Sequence, residues 1–110
     1  MKFLCLAYGD ERDWKMLSKD QQDLLLAKDE ELRKRGALMA AVQNITTTVT
    51  AWDGKPTSVN QPYCDARTPL AGFSIIEADS VEEVVRLVAG TPCARAKGAI
   101  EVRPILTIND

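Results

Sequence analysis

The chain has 110 residues, 45% of them hydrophobic and 27% charged, with a formal net charge of −2. That length suits one domain able to hide roughly two-thirds of its unfolded surface, so neither disulfides nor metals are needed to staple it. With 14 Lys and Arg against 16 Asp and Glu, there is no basic excess to neutralise nucleic-acid phosphates, and no apolar run approaches the ~20 residues of a membrane span. The absence of histidine excludes a Ser-His-Asp or Cys-His centre built from this chain alone, and any histidine-ligated metal.

Three cysteines, Cys5, Cys64 and Cys93, make an odd set without a Cys-x-x-Cys pair. They read as reduced thiols of a cytoplasmic protein, with no cofactor or metal implied. The N-terminal apolar run is short and meets Asp10-Glu11-Arg12-Asp13 at once, unlike a secretory signal. Residues 10–35 hold fifteen of the thirty charges, whereas residues 36–75 hold only Asp53, Lys55, Asp65 and Arg67. The first block therefore reads as a solvated helix and the second as strands, within a single domain over residues 1–110.

In chain order, Lys2–Tyr8 predicts a buried strand, with Phe3, Cys5 and Ala7 on one face and Leu4 and Leu6 on the other. Ser18 and Gln21 form a capping-box pattern opening a helix to about Arg35, with Leu25, Leu32 and Leu24 as its inner stripe and Gly36 as its stop. Arg33-Lys34-Arg35 matches the negative end of that helix dipole. Ala37–Val42 begins a second strand region, and the alternating, β-branched Ile45–Trp52 predicts a strand entering an Asp53-Gly54 hairpin turn. Pro56 marks the return strand as an edge. A loop from Asn60 to about Pro69 leads into a strand at Ala71–Ile76. A second Ser-x-x-Glu box, Ser80 with Glu83, opens a helix whose stripe is Val81, Val84, Val85 and Val88 widened by Leu87, ended by Gly90 and Pro92. A last strand spans about Ala99–Ile105.

The sum is an α+β, ferredoxin-like sandwich with an antiparallel sheet and an added hairpin strand. Two helices cover only one face of such a sheet, yet the strands are apolar on both. A contiguous greasy face of that kind exceeds what monomers usually expose, so a homodimer closing through it is expected; a long loop folding over the face is the alternative.

Several stretches resemble the YCII-related (DGPF-domain) family: Lys2 to Glu11, Leu17-Ser18, Glu31-Leu32-Arg33 with Gly36, Asp53-Gly54-Lys55, Asp79-Ser80 with Glu83, and Glu101-Val102-Arg103-Pro104-Ile105. The family's Asp-Gly-Pro-Phe motif falls on Asn60-Gln61-Pro62-Tyr63, where only the proline matches, marking a divergent member. The resemblance implies a ferredoxin-like subunit pairing into a dimeric α/β barrel. It also implies kinship with dimeric barrels whose isomerases, monooxygenases and decarboxylases act on small, often aromatic molecules between sheet and helices. A His–Asp pair has been proposed for some members; this chain has no histidine to supply one.

Functional groups concentrate in the Gln61–Arg67 loop. There Arg67 would anchor an acidic ligand, Asp65 would act as general base, and Tyr63 and Gln61 would contact the ligand. A plain Asp65–Arg67 ion pair is the alternative. Glu101 and Arg103, two apart on one strand, would line a polar cleft at the dimer seam or form a salt bridge. Tyr8 and Trp52, with Thr46, Thr48 and Thr50, would wall the same cleft. Cys64 lacks a histidine partner and reads as an inert thiol rather than a nucleophile. The function expected is small-molecule binding in a cleft beside the 60–67 loop of a homodimer, with or without catalysis. A non-catalytic protein-interaction or regulatory accessory module is the alternative, and neither nucleic acid nor membrane is an expected partner.

Overall fold

The computed structural model describes residues 1–109. Its main sheet has four antiparallel strands: β1 (Lys2–Tyr8), β2 (Leu38–Ala41), β5 (Leu70–Glu77) and β6 (Ala99–Pro104), in the order β2-β5-β1-β6. This is the ferredoxin-like arrangement, in which β1 and β5 form the centre and the two helical connections lie on one face. A separate two-stranded hairpin, β3 (Thr48–Thr50) and β4 (Thr57–Val59), is inserted between β2 and β5. The hairpin does not extend the main sheet, contrary to expectation. Four helical segments complete the fold: α1 (Glu11–Lys15), α2 (Lys19–Lys34), α3 (Val81–Val88) and α4 (Pro92–Arg95).

Helix α2 starts and stops for visible reasons. Ser18 accepts from the Gln21 amide at 3.1 Å, and the Gln21 side chain accepts from the Ser18 amide at 2.9 Å, completing the capping box. At the other end Gly36 takes φ +102°. The Gly36 amide donates to Arg33 and the Ala37 amide to Leu32, satisfying carbonyls that would otherwise be orphaned. Leu25 and Leu32 are buried, but Leu24 is exposed, so the inner stripe is narrower than expected.

In α3, Ser80 accepts from the Glu83 amide, but the Glu83 carboxylate accepts from the Asp79 amide and from Arg35 at 2.9 Å instead of closing the box on Ser80. Val84 and Val88 are buried, whereas Val81 and Val85 face solvent. Leu87 packs against the core beside Val84 and Val88, so the inward stripe lies on that side of the helix. Pro92 does not merely end this helix. It occupies the first turn of α4, where its missing N–H costs nothing.

The core lies between the helices and the inner sheet face, where Phe3, Cys5, Ile76, Val84, Val88 and Leu32 pack together. Cross-strand partners show which residues share the opposite face: Leu4 with Ile75 and Arg103, Leu6 with Phe73 and Glu101, and Leu38 with Ile75. Among the described residues no helix covers that face. The expected strand Ile45–Trp52 shortens to Thr48–Thr50, and the turn grows to the six residues between paired Thr50 and Thr57. Asp53 accepts from the Lys55 amide, Gly54 takes φ +84°, and Pro56 cannot donate to the ladder, so pairing resumes only at Thr57. No helix among the described residues is long and apolar enough to cross a membrane.

Candidate functional site in the cleft between sheet and helices

Along the inner sheet face, side-chain size falls from one end to the other. Phe3 opposes Ile76 and Cys5 opposes Ser74, filling one end of the layer. At the other end, Ala41, Gly72 and Ala7 stand side by side on β2, β5 and β1. Three nearly absent side chains leave a gap below α2 and α4, a cavity of about 180 Å³. A dry cavity of ~150 Å³ is enough for a benzene-sized molecule. Its walls are mainly apolar, with polar groups from Asp29, Arg33, Ser74, Thr91 and Cys93.

Asp29 sits on α2 four residues after Leu25 and three before Leu32, which places a carboxyl on the stripe that faces the sheet. Burial pushes its pKa above the usual carboxylate range, and Arg33, one turn further on, opposes the shift only in part. Arg33 is itself engaged by Glu30 at 3.1 Å. Facing them from α4, the Cys93 thiol is held protonated, first by burial and then by the negative charge of Asp29. Burial also raises Cys5, and its hydrogen bond with Ser74 pulls the other way. Thr91 is buried and spends its hydroxyl on the Val88 carbonyl at 2.6 Å. The charged groups that border the cavity are therefore the Asp29 carboxyl and the Arg33 guanidinium, beside the Cys93 thiol.

A second, more open cavity of about 650 Å³ adjoins the first and shares Ala71, Pro92 and Cys93 with it. Register shifts by one residue at this shared wall, since Ala7 pairs with Gly72 but Tyr8 with Leu70. Ala71 is thus bulged out of the ladder, a device that re-aims a strand beside a cleft. The outer cavity is bordered by Trp14, Asn44 and the Asp10–Arg12 pair. Arg12 grips Asp10 through Nε and a terminal nitrogen, the latter at 2.8 Å, and holds its carboxyl down to about 2. Asp10 therefore stays ionised while Asp29 holds its proton more tightly. Among the described residues no group of three or more Cys, Asp or Glu is placed to hold a metal ion.

The residues singled out in the sequence do not converge. Gln61, Tyr63, Asp65 and Arg67 are exposed on the loop after β4 and line neither cavity; only Pro69, at the end of that loop, borders the outer one. The Gln61 carbonyl accepts from Thr48, and no ion pair joins Asp65 to Arg67 among the described residues. Cys64 is exposed. Trp52 stands in the hairpin turn, 91% exposed. Tyr8 ends β1 on the uncovered sheet face. Glu101 and Arg103 share that face on β6, an edge strand and not an interior one. There Arg103 donates to Glu101 at 3.0 Å along its own strand.

The YCII-related domain family matches residues 1–109. The chain belongs to the YCII-related family. No curated protein sequence matches it. Among solved structures it is similar to the 5-chloro-2-hydroxyhydroquinone dehydrochlorinase TftG from Burkholderia phenoliruptrix AC1100, in complex with 2,5-dihydroxybenzoquinone. The two chains share 21% identity over 96% of this chain and 93% of that one, with a TM-score of 0.50. At that identity the likeness speaks for the fold, and it supports the ferredoxin-like assignment of this YCII-related chain.

Proposed function

We propose that this YCII-related protein binds a small, flat, hydroxylated ring in the inner cleft, with Asp29 as the group that takes or gives a proton. The observation that carries the reading is the half-buried Asp29 carboxyl, on the inward stripe of α2, at the edge of a cavity walled mainly by alanine, glycine and apolar side chains. A perturbed titratable group in a concave apolar site marks functional chemistry. Moving a carboxyl pKa toward neutrality is also what acid–base work at physiological pH demands. The cavity admits one six-membered ring, and the outer cavity leaves room for its substituents. Arg33 near Asp29 favours a ligand whose hydroxyl ionises. The quinone named with the TftG structure has this size and character.

The second part of the proposal is that the protein is a homodimer closed through the uncovered sheet face, forming a dimeric α/β barrel. Leu4, Leu6, Leu38, Phe73 and Ile75 make that face apolar, with Leu38 59% exposed.

Absorbance titration and thermal shift with 2,5-dihydroxybenzoquinone test the site. Binding should raise the melting temperature by mass action, and Asp29→Asn should weaken it and remove its dependence on pH. A quinone that neither binds nor stabilises, or an Asn variant indistinguishable from wild type, would overturn the assignment. A 12.1 kDa species in sedimentation at every concentration would overturn the dimer.

A further inference from the structure

We infer that the β3–β4 hairpin and the loop after it form an arm that packs on a second copy of this chain, an inference resting on the dimer proposed above. The molecule measures 50 × 34 × 19 Å with a radius of gyration of 15.7 Å. A compact chain of this length has a radius near 13 Å. Neither hairpin strand joins the main sheet, so the hairpin is a part of the chain that stands outside its layers. The arm leaves the body beside the edge strand β2 and returns to it at β5.

Its surface is wrong for a solvated projection. Val49 is 63% exposed, Trp52 91% and Tyr63 76%, and Ile45 and Val59 are exposed as well. Between Val42 and Tyr63 the only charges are Asp53 and Lys55. Large apolar side chains on an arm with so few charges are a contact surface without its partner. Within the hairpin, Thr50 and Thr57 bond through their hydroxyls at 2.9 Å, and Thr48 ties the following loop through the Gln61 carbonyl. The arm is therefore internally organised without needing the body.

Two arguments name the partner as a second copy. One is continuity along the chain: exposed Leu38 on β2, part of the uncovered sheet face, is followed by exposed Val42, Ile45 and Val49 as the chain enters the arm. The other is area. Four strands at ~4.8 Å spacing and some 20 Å in length give a flat footprint of only roughly 400 Å². A stable complex takes ~800 Å² of accessible surface from each partner, and the arm's exposed apolar side chains enlarge the modest sheet contact. Tyr63, Asp65 and Arg67 travel with it into the interface.

The experiment compares dimer dissociation of wild type, Val49→Thr/Trp52→Ser and Leu6→Glu by sedimentation over a dilution series, with circular dichroism confirming that each is folded. Loss of a buried tryptophan anchor should weaken dimerisation about thirtyfold or more. On dilution, the emission of wild type should shift to the red, and that component should vanish in Trp52→Phe. If Leu6→Glu dissociates the dimer while the arm variant changes it less than about threefold, the arm inference fails and the sheet-face dimer stands. If the arm variant dissociates the dimer and Leu6→Glu does not, the arm stands and the sheet face fails. A wild type that is monomeric throughout overturns both.

Discussion

Replacing Ala7 with leucine tests whether the gap beneath α2 and α4 is a real void kept open for a ligand. Ala7 lies on the inner face of β1 between Gly72 and Ile100, and its methyl borders the 180 Å³ cavity. Leucine adds three carbons at ~0.8 kcal/mol each when fully buried, a gross gain of roughly 2.4 kcal/mol. Ordering the new side chain costs ~0.5–1 kcal/mol, and the site is only half-buried, so the net stabilisation is about 1 kcal/mol. For a domain of this size that raises the melting temperature by about 4–8 °C. Urea denaturation with an unchanged slope would measure it. The same substitution should abolish the thermal response to 2,5-dihydroxybenzoquinone, because it occupies the ring's place. Destabilisation by 1 kcal/mol or more would mean that no room exists there. A stabilised variant that still responds to the quinone would move the site elsewhere, with the 60–67 loop the first alternative.

Asp29→Asn also changes stability with a defined sign. Burial raises the folded-state pKa, so the wild-type residue contributes stability that is fully present below its unfolded value of 3.8 and is lost as pH rises through the folded value. Urea midpoints of the Asn variant should therefore gain on wild type as pH climbs from that limit, and parallel curves would refute the reading. Alkylation near neutral pH should label exposed Cys64 well before Cys93, which burial and Asp29 keep protonated; equal rates would contradict the cleft electrostatics. Gly36→Ala should cost about 1 kcal/mol in chemical denaturation, since φ +102° penalises a β-carbon even where space is open. An unchanged midpoint would show that the α2 stop is not strained.

The sheet was legible because its strands carry strong patterns, and β1 is found at the limits that alternation sets. Caps were equally plain at Ser18 and Gly36, where chemistry is local. The hairpin was harder. Asp53-Gly54 announces a turn, but neither residue reveals that Pro56 and the Asp53 side chain will stretch it to six residues, or that the pair will stand apart from the sheet. α1 went unseen because five residues carry too little periodicity. The proposed cleft was not legible for a different reason: functional groups are densest in the sequence at Gln61–Arg67, a stretch the fold leaves exposed. The usable signal was a mismatch, an aspartate at the inward position between Leu25 and Leu32. Its counterpart was the shrinking series Phe3, Cys5, Ala7, which reads as strand alternation until the neighbours Gly72 and Ala41 are placed beside it.

Strand β1 serves two surfaces at once, and this makes a sharper demand than either surface alone. Phe3, Cys5 and Ala7 build the core and cleft; Leu4 and Leu6 build the outer face. A slip of one residue would exchange these sets, putting leucines into the cleft and an alanine on the outer face. The fully buried pair of Phe3 and Ile76 holds the register against that slip. If the faces are independent, Ala7→Leu and Leu6→Glu should act separately although they are adjacent in sequence. The first should abolish quinone binding and leave dimer dissociation unchanged; the second should do the reverse. Their effects on subunit stability should add to within about 0.5 kcal/mol, the limit usual for uncoupled sites. Coupling above about 1 kcal/mol would mean that packing in the cleft is felt across the sheet, so that association and ligand binding are linked through β1.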